Sequence, residues 1–211
     1  ASSDMQPGAA SDGGGAVGTD GGAGGPDHAI DTKVLLRRAV AVAQAEASAS
    51  ADGQVPDHDD LGGPPSSTFV AVIVRPTANG AELSTAWVGD SRAYWIGDQS
   101  RRLSENDHEI AGSLVRWLGA DSLDPTPDVA VTTIGGPGHV VVCSDGLWRY
   151  AEEPRELDDL VRRLISDGHR GLDLASAMVD FANDGGGHDN ISVALWTGVD
   201  SPTPTTGPQP T

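Results

Sequence analysis

The sequence predicts a single domain of the α+β class. Strand signals cluster between residues 68 and 144, and helical patterns lie before and after this cluster. Because strands and helices do not alternate one by one, the pattern disfavours a parallel sheet made of strand–helix–strand units. A chain of 211 residues can form one substantial core, whereas two full domains would be crowded.

The elements can be predicted in order along the chain. A helix is expected at 33–50, where Asp31 and Thr32 offer a cap. Five strands follow, at 68–75, 82–88, 92–96, 129–134 and 140–144. Asn79-Gly80 is typical of a hairpin turn between the first two. Two helices, with Pro154 opening the first, and a last strand are expected at 154–166, 172–183 and 191–197.

The two ends of the chain differ from its middle. Residues 1–30 are dense in glycine and poor in large apolar side chains, which predicts a disordered tail. Residues 199–211 are rich in proline and threonine, as in a tail or linker. The folded domain is therefore expected to span residues 31–198.

Composition excludes several classes of function. A net charge of −18 disfavours nucleic acids and anionic membranes, which attract basic surfaces. No apolar run approaches a membrane span and no signal peptide is visible, so we expect a cytoplasmic protein. The single cysteine, Cys143, lies in an apolar strand, where a packed thiol is expected rather than a nucleophile. The sequence specifies no oligomeric state.

Two short acidic motifs flank strand signals. Ser144-Asp145-Gly146-Leu147-Trp148 follows an apolar strand, and His188-Asp189-Asn190 precedes another. Aspartates at strand ends are well placed to bind hard cations such as Mg²⁺ or Mn²⁺. Each motif taken alone could equally be a turn that bonds its own backbone.

A third motif has the pattern of a strand, a tight turn and a second strand. It reads Trp87-Val88-Gly89-Asp90-Ser91-Arg92-Ala93-Tyr94-Trp95. In this order the three motifs resemble the metal-dependent protein serine/threonine phosphatases of the PPM family (type 2C), particularly the actinobacterial branch. The resemblance covers about residues 66–198. It implies a four-layer α/β/β/α sandwich, with two mainly antiparallel sheets between layers of helices and a metal centre at one end.

The resemblance also implies a chemistry. Mn²⁺ or Mg²⁺ ions would activate a water that hydrolyses phosphoserine or phosphothreonine on phosphorylated protein substrates. Asp145 and Asp189 match metal ligands, and Asp90 matches the position that can hold a third ion beside the usual two. Gly146 would let the backbone approach the metal waters, and Asn190 would support its neighbouring aspartate. His139 and His188 are expected to be structural or solvent-facing.

The chain also departs from the family pattern. A first strand with an Asp-Gly metal motif should precede the helix at 33–50, but only Asp12-Gly13 and the glycine-rich run from Asp20 stand there. The segment from Glu109 to Val115 is shorter than the family's usual excursion. Three hypotheses follow: a phosphatase whose first strand is missing from this chain, an inactive pseudophosphatase that binds phosphoproteins or a partner, or an unrelated metal-binding or structural module.

Overall fold

The computed structural model describes residues 31–49, 64–111 and 113–198. Four helices lie in these residues: α1 (Thr32–Ala49), α2 (Asp145–Trp148), α3 (Pro154–Ser166) and α4 (Gly171–Asp184). The longer strands are β2 (Phe69–Thr77), β3 (Gly80–Val88), β4 (Arg92–Gly97), β9 (Asp128–Gly135), β10 (Gly138–Cys143) and β11 (Val193–Thr197). Five two-residue strands complete the set: β1 (Ser66–Ser67), β5 (Arg101–Arg102), β6 (Glu109–Ile110), β7 (Ser113–Leu114) and β8 (Leu118–Gly119).

Two antiparallel sheets form the centre of the domain. One has three strands in the order β2-β3-β9, and the other has four in the order β11-β10-β4-β5. Their inner faces share an apolar core that includes Leu83 and Ile134 from the first sheet and Trp95 and Val140 from the second. The sheets therefore pack face to face.

Helices cover the outer face of each sheet. Val40 of α1 packs with Val88 and Phe69 on the three-stranded sheet. Leu157 of α3 and Met178 of α4 pack with residues of the four-stranded sheet in a second core. The order of layers is thus helix, sheet, sheet and helices, which confirms the predicted α+β sandwich.

Local chemistry explains where several elements begin. Asp31 Oδ1 accepts the backbone N–H of Lys33 at 2.9 Å, as a helix cap should. Pro154 opens α3, and the Glu156 carboxylate accepts the backbone N–H of Glu153 at 3.1 Å.

The Gly89-Asp90-Ser91 segment is not the turn of a hairpin, contrary to the sequence-based prediction. β3 already has β2 on one side and β9 on the other, so no edge is left for β4 to pair with. The chain instead crosses to the second sheet, where β4 pairs with β10. This crossing places Asp90 between the sheets.

Smaller differences concern element ends. The turn between β2 and β3 consists of Ala78-Asn79, since Gly80 already pairs with Thr77. The last strand begins at Val193, two residues later than predicted. Asp145 opens a single helical turn rather than a simple loop.

Some predictions fall on residues outside the described part of the chain. These are the tails at 1–30 and 199–211, including the Asp12-Gly13 and Asp20-Gly21 pairs. Among the described residues, no helix is both long and apolar enough to cross a membrane.

Candidate metal centre

Asp90 lies on the crossing between the two sheets and is only 8% exposed. The preceding Gly89 turns the chain with a φ of +98°, a conformation that favours glycine. The Gly89 N–H donates to Nδ1 of His108 at 3.1 Å, and the Asp90 carbonyl accepts the indole N–H of Trp148 at 2.9 Å. The backbone on both sides of the Asp90 carboxylate is therefore held in place.

His108 is held in one tautomer by its neighbours. Because Nδ1 accepts a hydrogen bond from Gly89, the ring proton of a neutral imidazole lies on Nε2 and is donated to Asp128 Oδ2 at 3.0 Å. The backbone N–H of His108 also donates to the Gly89 carbonyl at 3.0 Å. This buried side chain thus fixes the turn that carries Asp90.

Asp145 comes from the end of β10, in the four-stranded sheet. The preceding Ser144 joins this strand end to the loop before β11. Its hydroxyl donates to the Asn190 carbonyl at 3.0 Å and accepts the Ser192 N–H at 3.0 Å. The Ser144 N–H donates to the Ser192 carbonyl at 3.1 Å.

Arg149 lies four residues after Asp145 and brings three carboxylates together. Its guanidinium is 3.0 Å from Asp145 Oδ2, 3.4 Å from Glu109 Oε2 and 3.9 Å from Asp90 Oδ2. Among the described residues, Arg149 is thus the cation shared by Asp90, Glu109 and Asp145, which we call the acidic cluster. Glu109 belongs to the small β6–β7 hairpin.

The electrostatics of Asp90 reflect this crowding. Its pKa is raised above the usual range, first by burial and then by the negative charge of Asp145, with a smaller contribution from Glu109. Arg149 acts in the opposite direction. One guanidinium is thus insufficient to neutralise the cluster around Asp90.

Asp189 lies in the loop between α4 and β11, beside the Asp145 segment. Its Oδ1 accepts the backbone N–H of Asn190 at 2.6 Å. A Cβ atom on Gly146 would lie 2.4 Å from the Asn190 carbonyl oxygen, so only glycine allows this approach. The two motifs therefore touch through their backbones, while the close approach of the Asp145 and Asp189 carboxylates stays a prediction.

The chemistry of the acidic cluster fits a hard divalent cation, because carboxylate oxygens are the preferred ligands of Mg²⁺ and Mn²⁺. Among the described residues, no three His, Cys, Asp or Glu side chains are arranged to hold a metal by themselves. Such ions usually take few protein carboxylates and keep several waters. The residues therefore fit part of the coordination shell of such an ion, with Asp90 and Asp145 as its protein ligands.

Other candidate residues lie elsewhere or serve the fold. The His139 imidazole contacts Thr197 at 3.1 Å, near the opposite end of β10 from Asp145. The backbone N–H of His188 donates to the Tyr150 hydroxyl at 3.3 Å. Cys143 is a packed thiol, as predicted, and burial raises its pKa to about 12.

Sequence reasoning missed Glu109 and Arg149 as parts of the site. The four-residue spacing of Asp145 and Arg149 is a signal for a helical ion pair, but it required recognition of the short helix α2. Nothing in the local sequence of Glu109 indicates that the β6–β7 hairpin brings it to Arg149.

No protein-family model matches the chain. Among curated proteins, the serine/threonine phosphatase stp of Listeria welshimeri is 28% identical over an alignment of 148 residues, covering 61% of this chain and 55% of the relative. The corresponding protein of Listeria monocytogenes serotype 4b is 27% identical over 150 residues, with the same coverage of each chain. The chain thus spans about half the length of the curated relatives it matches.

Solved structures show the same fold. The serine/threonine phosphatase of S. agalactiae superposes with a TM-score of 0.58 at 21% identity, covering 78% of this chain and 69% of that one. Stp1 from Staphylococcus aureus gives 0.57 at 18% identity, covering 80% and 68%. The chain is thus similar in sequence to bacterial serine/threonine phosphatases and shares the fold of solved ones.

Proposed function

We propose that this chain forms the larger part of a metal-dependent phosphatase domain that hydrolyses phosphoserine and phosphothreonine on proteins. The observation that carries this proposal is the convergence of Asp90 and Asp145 on one cationic group, in a chain whose relatives are serine/threonine phosphatases. Asp189 would complete the set, from the loop that Ser144 ties to the Asp145 segment.

Each residue has a separate task in this proposal. Asp90, Asp145 and Asp189 would hold Mn²⁺ or Mg²⁺, two ions in the usual pair and a third near Asp90. When bound, such ions supply Lewis acidity for a water nucleophile and neutralise the phosphoryl oxygens. The Asn190 N–H orients the Asp189 carboxylate, and the missing side chain of Gly146 leaves room for the Asn190 carbonyl.

The test is Mn²⁺-dependent release of phosphate from a phosphothreonine peptide by the full 211-residue chain. We expect slow turnover, since the family's first Asp-Gly strand is not recognisable in the sequence, and Asp145→Asn should reduce it at least about tenfold. Asp158→Asn is a matched control, because Asp158 pairs with Arg162 at the same spacing and is similarly exposed, 19% against 21% for Asp145.

Two outcomes would change the proposal. Turnover that Asp145→Asn leaves intact would contradict the assigned site. Fast Mn²⁺-dependent turnover, lost in Asp145→Asn, would show that a residue such as Asp20 completes the metal site within this chain.

A second candidate is a pseudophosphatase that binds phosphoproteins or a partner without turnover. The observation that favours it is the absence, among residues the structure describes, of three metal-ligating side chains grouped for a metal. Phosphopeptide binding without any Mn²⁺-dependent phosphate release would select this alternative.

A further inference from the structure

Arg149 occupies the middle of the acidic cluster. Its Nε lies 3.0 Å from Asp145, and its Nη2 lies 3.4 Å from Glu109 and 3.9 Å from Asp90. Carboxylates from a loop, a short strand and a helix therefore point at one guanidinium. The position that this side chain fills is the one in which an approaching cation would meet the Asp90 and Asp145 oxygens together.

The guanidinium is held on one side by an aromatic face. It lies 4.8 Å from the centre of the Trp148 ring, while the buried guanidinium of Arg92 lies 3.4 Å from the same ring. Trp148 is fixed in turn by its bond to the Asp90 carbonyl. This arrangement gives Arg149 a defined inward position without enclosing it.

Arg149 is also half open to solvent. Its side chain is 48% exposed, whereas Arg92 is 5% exposed and pairs with the Asp107 carboxylate. The cluster carries three carboxylates against one guanidinium, so its charge is not balanced while Arg149 is inward. A divalent ion could replace the guanidinium with a better charge match.

We propose that Arg149 is a built-in counter-ion of the metal site: it partly offsets the negative charge of the acidic cluster in the metal-free protein and is displaced when a divalent cation binds. Arg149 then lowers the affinity for metal while stabilising the metal-free fold. This inference rests on the proposed metal site.

The test is calorimetric titration of Mn²⁺ into the full chain and into three variants. Arg149→Gln should bind Mn²⁺ roughly tenfold more tightly, the change expected when one competing charge leaves a half-exposed site. Arg149→Lys keeps the charge without the planar fork and should lie between Arg149→Gln and the parent chain. Arg162→Gln removes the equivalent partner of Asp158 and should bind like the parent chain.

A second readout is thermal unfolding without metal, in which Arg149→Gln should unfold at a lower temperature than Arg162→Gln. Equal or weaker Mn²⁺ binding by Arg149→Gln, with the parent chain binding normally, would overturn the inference and leave the proposed function standing. If neither the parent chain nor any variant binds Mn²⁺, the metal site itself is wrong and both proposals fall. Arg149→Lys covers the case in which Arg149→Gln does not fold.

Discussion

At the level of single residues, the contact between Gly146 and the Asn190 carbonyl determines how closely the two aspartate-bearing segments can lie. A Cβ atom at residue 146 would meet that oxygen at 2.4 Å and the Asn190 carbonyl carbon at 2.9 Å. Both are backbone atoms, so neither can rotate away. The sequence indicated that this glycine matters, but not that a neighbouring loop is the reason.

We therefore expect Gly146→Ala to destabilise the domain by about 1–3 kcal/mol, because the loop before β11 must shift. Thermal unfolding would show a melting temperature lower by roughly 2–10 °C. Gly135→Ala is the control, since a Cβ there makes only an ordinary contact of 3.6 Å. Equal melting temperatures for the two variants would mean that the loop is not seated against Gly146.

Asp90 shows a conflict between stability and metal binding at one residue. Its ionised carboxylate is disfavoured by burial and by Asp145, which raises its pKa. Between the ordinary and the raised pKa, the folded protein binds more protons than the unfolded chain, so this group's contribution to stability falls as pH rises through that range. Above the raised pKa the full destabilisation is present.

Asp90→Asn should accordingly raise the metal-free melting temperature at pH 7 by about 1–4 °C, while weakening Mn²⁺ binding. The gain should shrink as pH is lowered toward the ordinary aspartate range, where the parent Asp90 becomes protonated too. Unfolding curves at several pH values would measure this trend. A lower melting temperature for Asp90→Asn at pH 7 would contradict the assigned electrostatics.

At the level of elements, β2 and β11 are edge strands of the two central sheets in the described structure, with β9 and β5 at the opposite edges. The sequence-based hypothesis of a missing first strand places an exposed edge beside these same two segments. Both strands are only partly buried, whereas β3 lies between two neighbours and is largely buried. Open edges of this kind tend to pair with other chains.

Hydrogen exchange should distinguish these strands. We expect the slowest amide exchange in β3 and β10, which have neighbours on both sides, and faster exchange at alternate amides of β2 and β11. Peptide-resolved mass spectrometry on the full chain measures this directly. Protection of β2 equal to that of β3 would show that another segment covers its edge.

The same elements show what the sequence could predict. Helix α3 was predicted with its observed bounds because Pro154 marks its start, and in the structure the Glu156 carboxylate also accepts the Glu153 N–H there. The single-turn helix α2 and the two-residue strands carry too few residues for a periodic pattern. The crossing at Asp90 was mistaken for a hairpin because local sequence does not reveal that β3 is flanked by two other strands.

For the whole molecule, the layer order followed from the motif order and its family resemblance, and relatives of known structure share the fold. The sequence could predict only some members of the acidic cluster and its counter-ion. Asp90 and Asp145 stand in recognisable motifs, whereas Glu109 and Arg149 join them only through tertiary contacts. Two statements stay predictions: that the net charge of −18 disfavours nucleic-acid binding, and that the protein is cytoplasmic.

The crossing from β3 to β4 also bears on how the domain unfolds. Asp90 lies in the segment that joins the three-stranded sheet to the four-stranded sheet, whereas Asp145 follows a strand of the four-stranded sheet. If both side chains bound one cation, the two sheets could not separate unless the cation was released. Since a ligand that binds only the native state stabilises it by mass action, saturating Mn²⁺ would make the two sheets melt as one cooperative unit. Without metal, the three-stranded sheet and its single helix α1 could open first, as a separate folding unit.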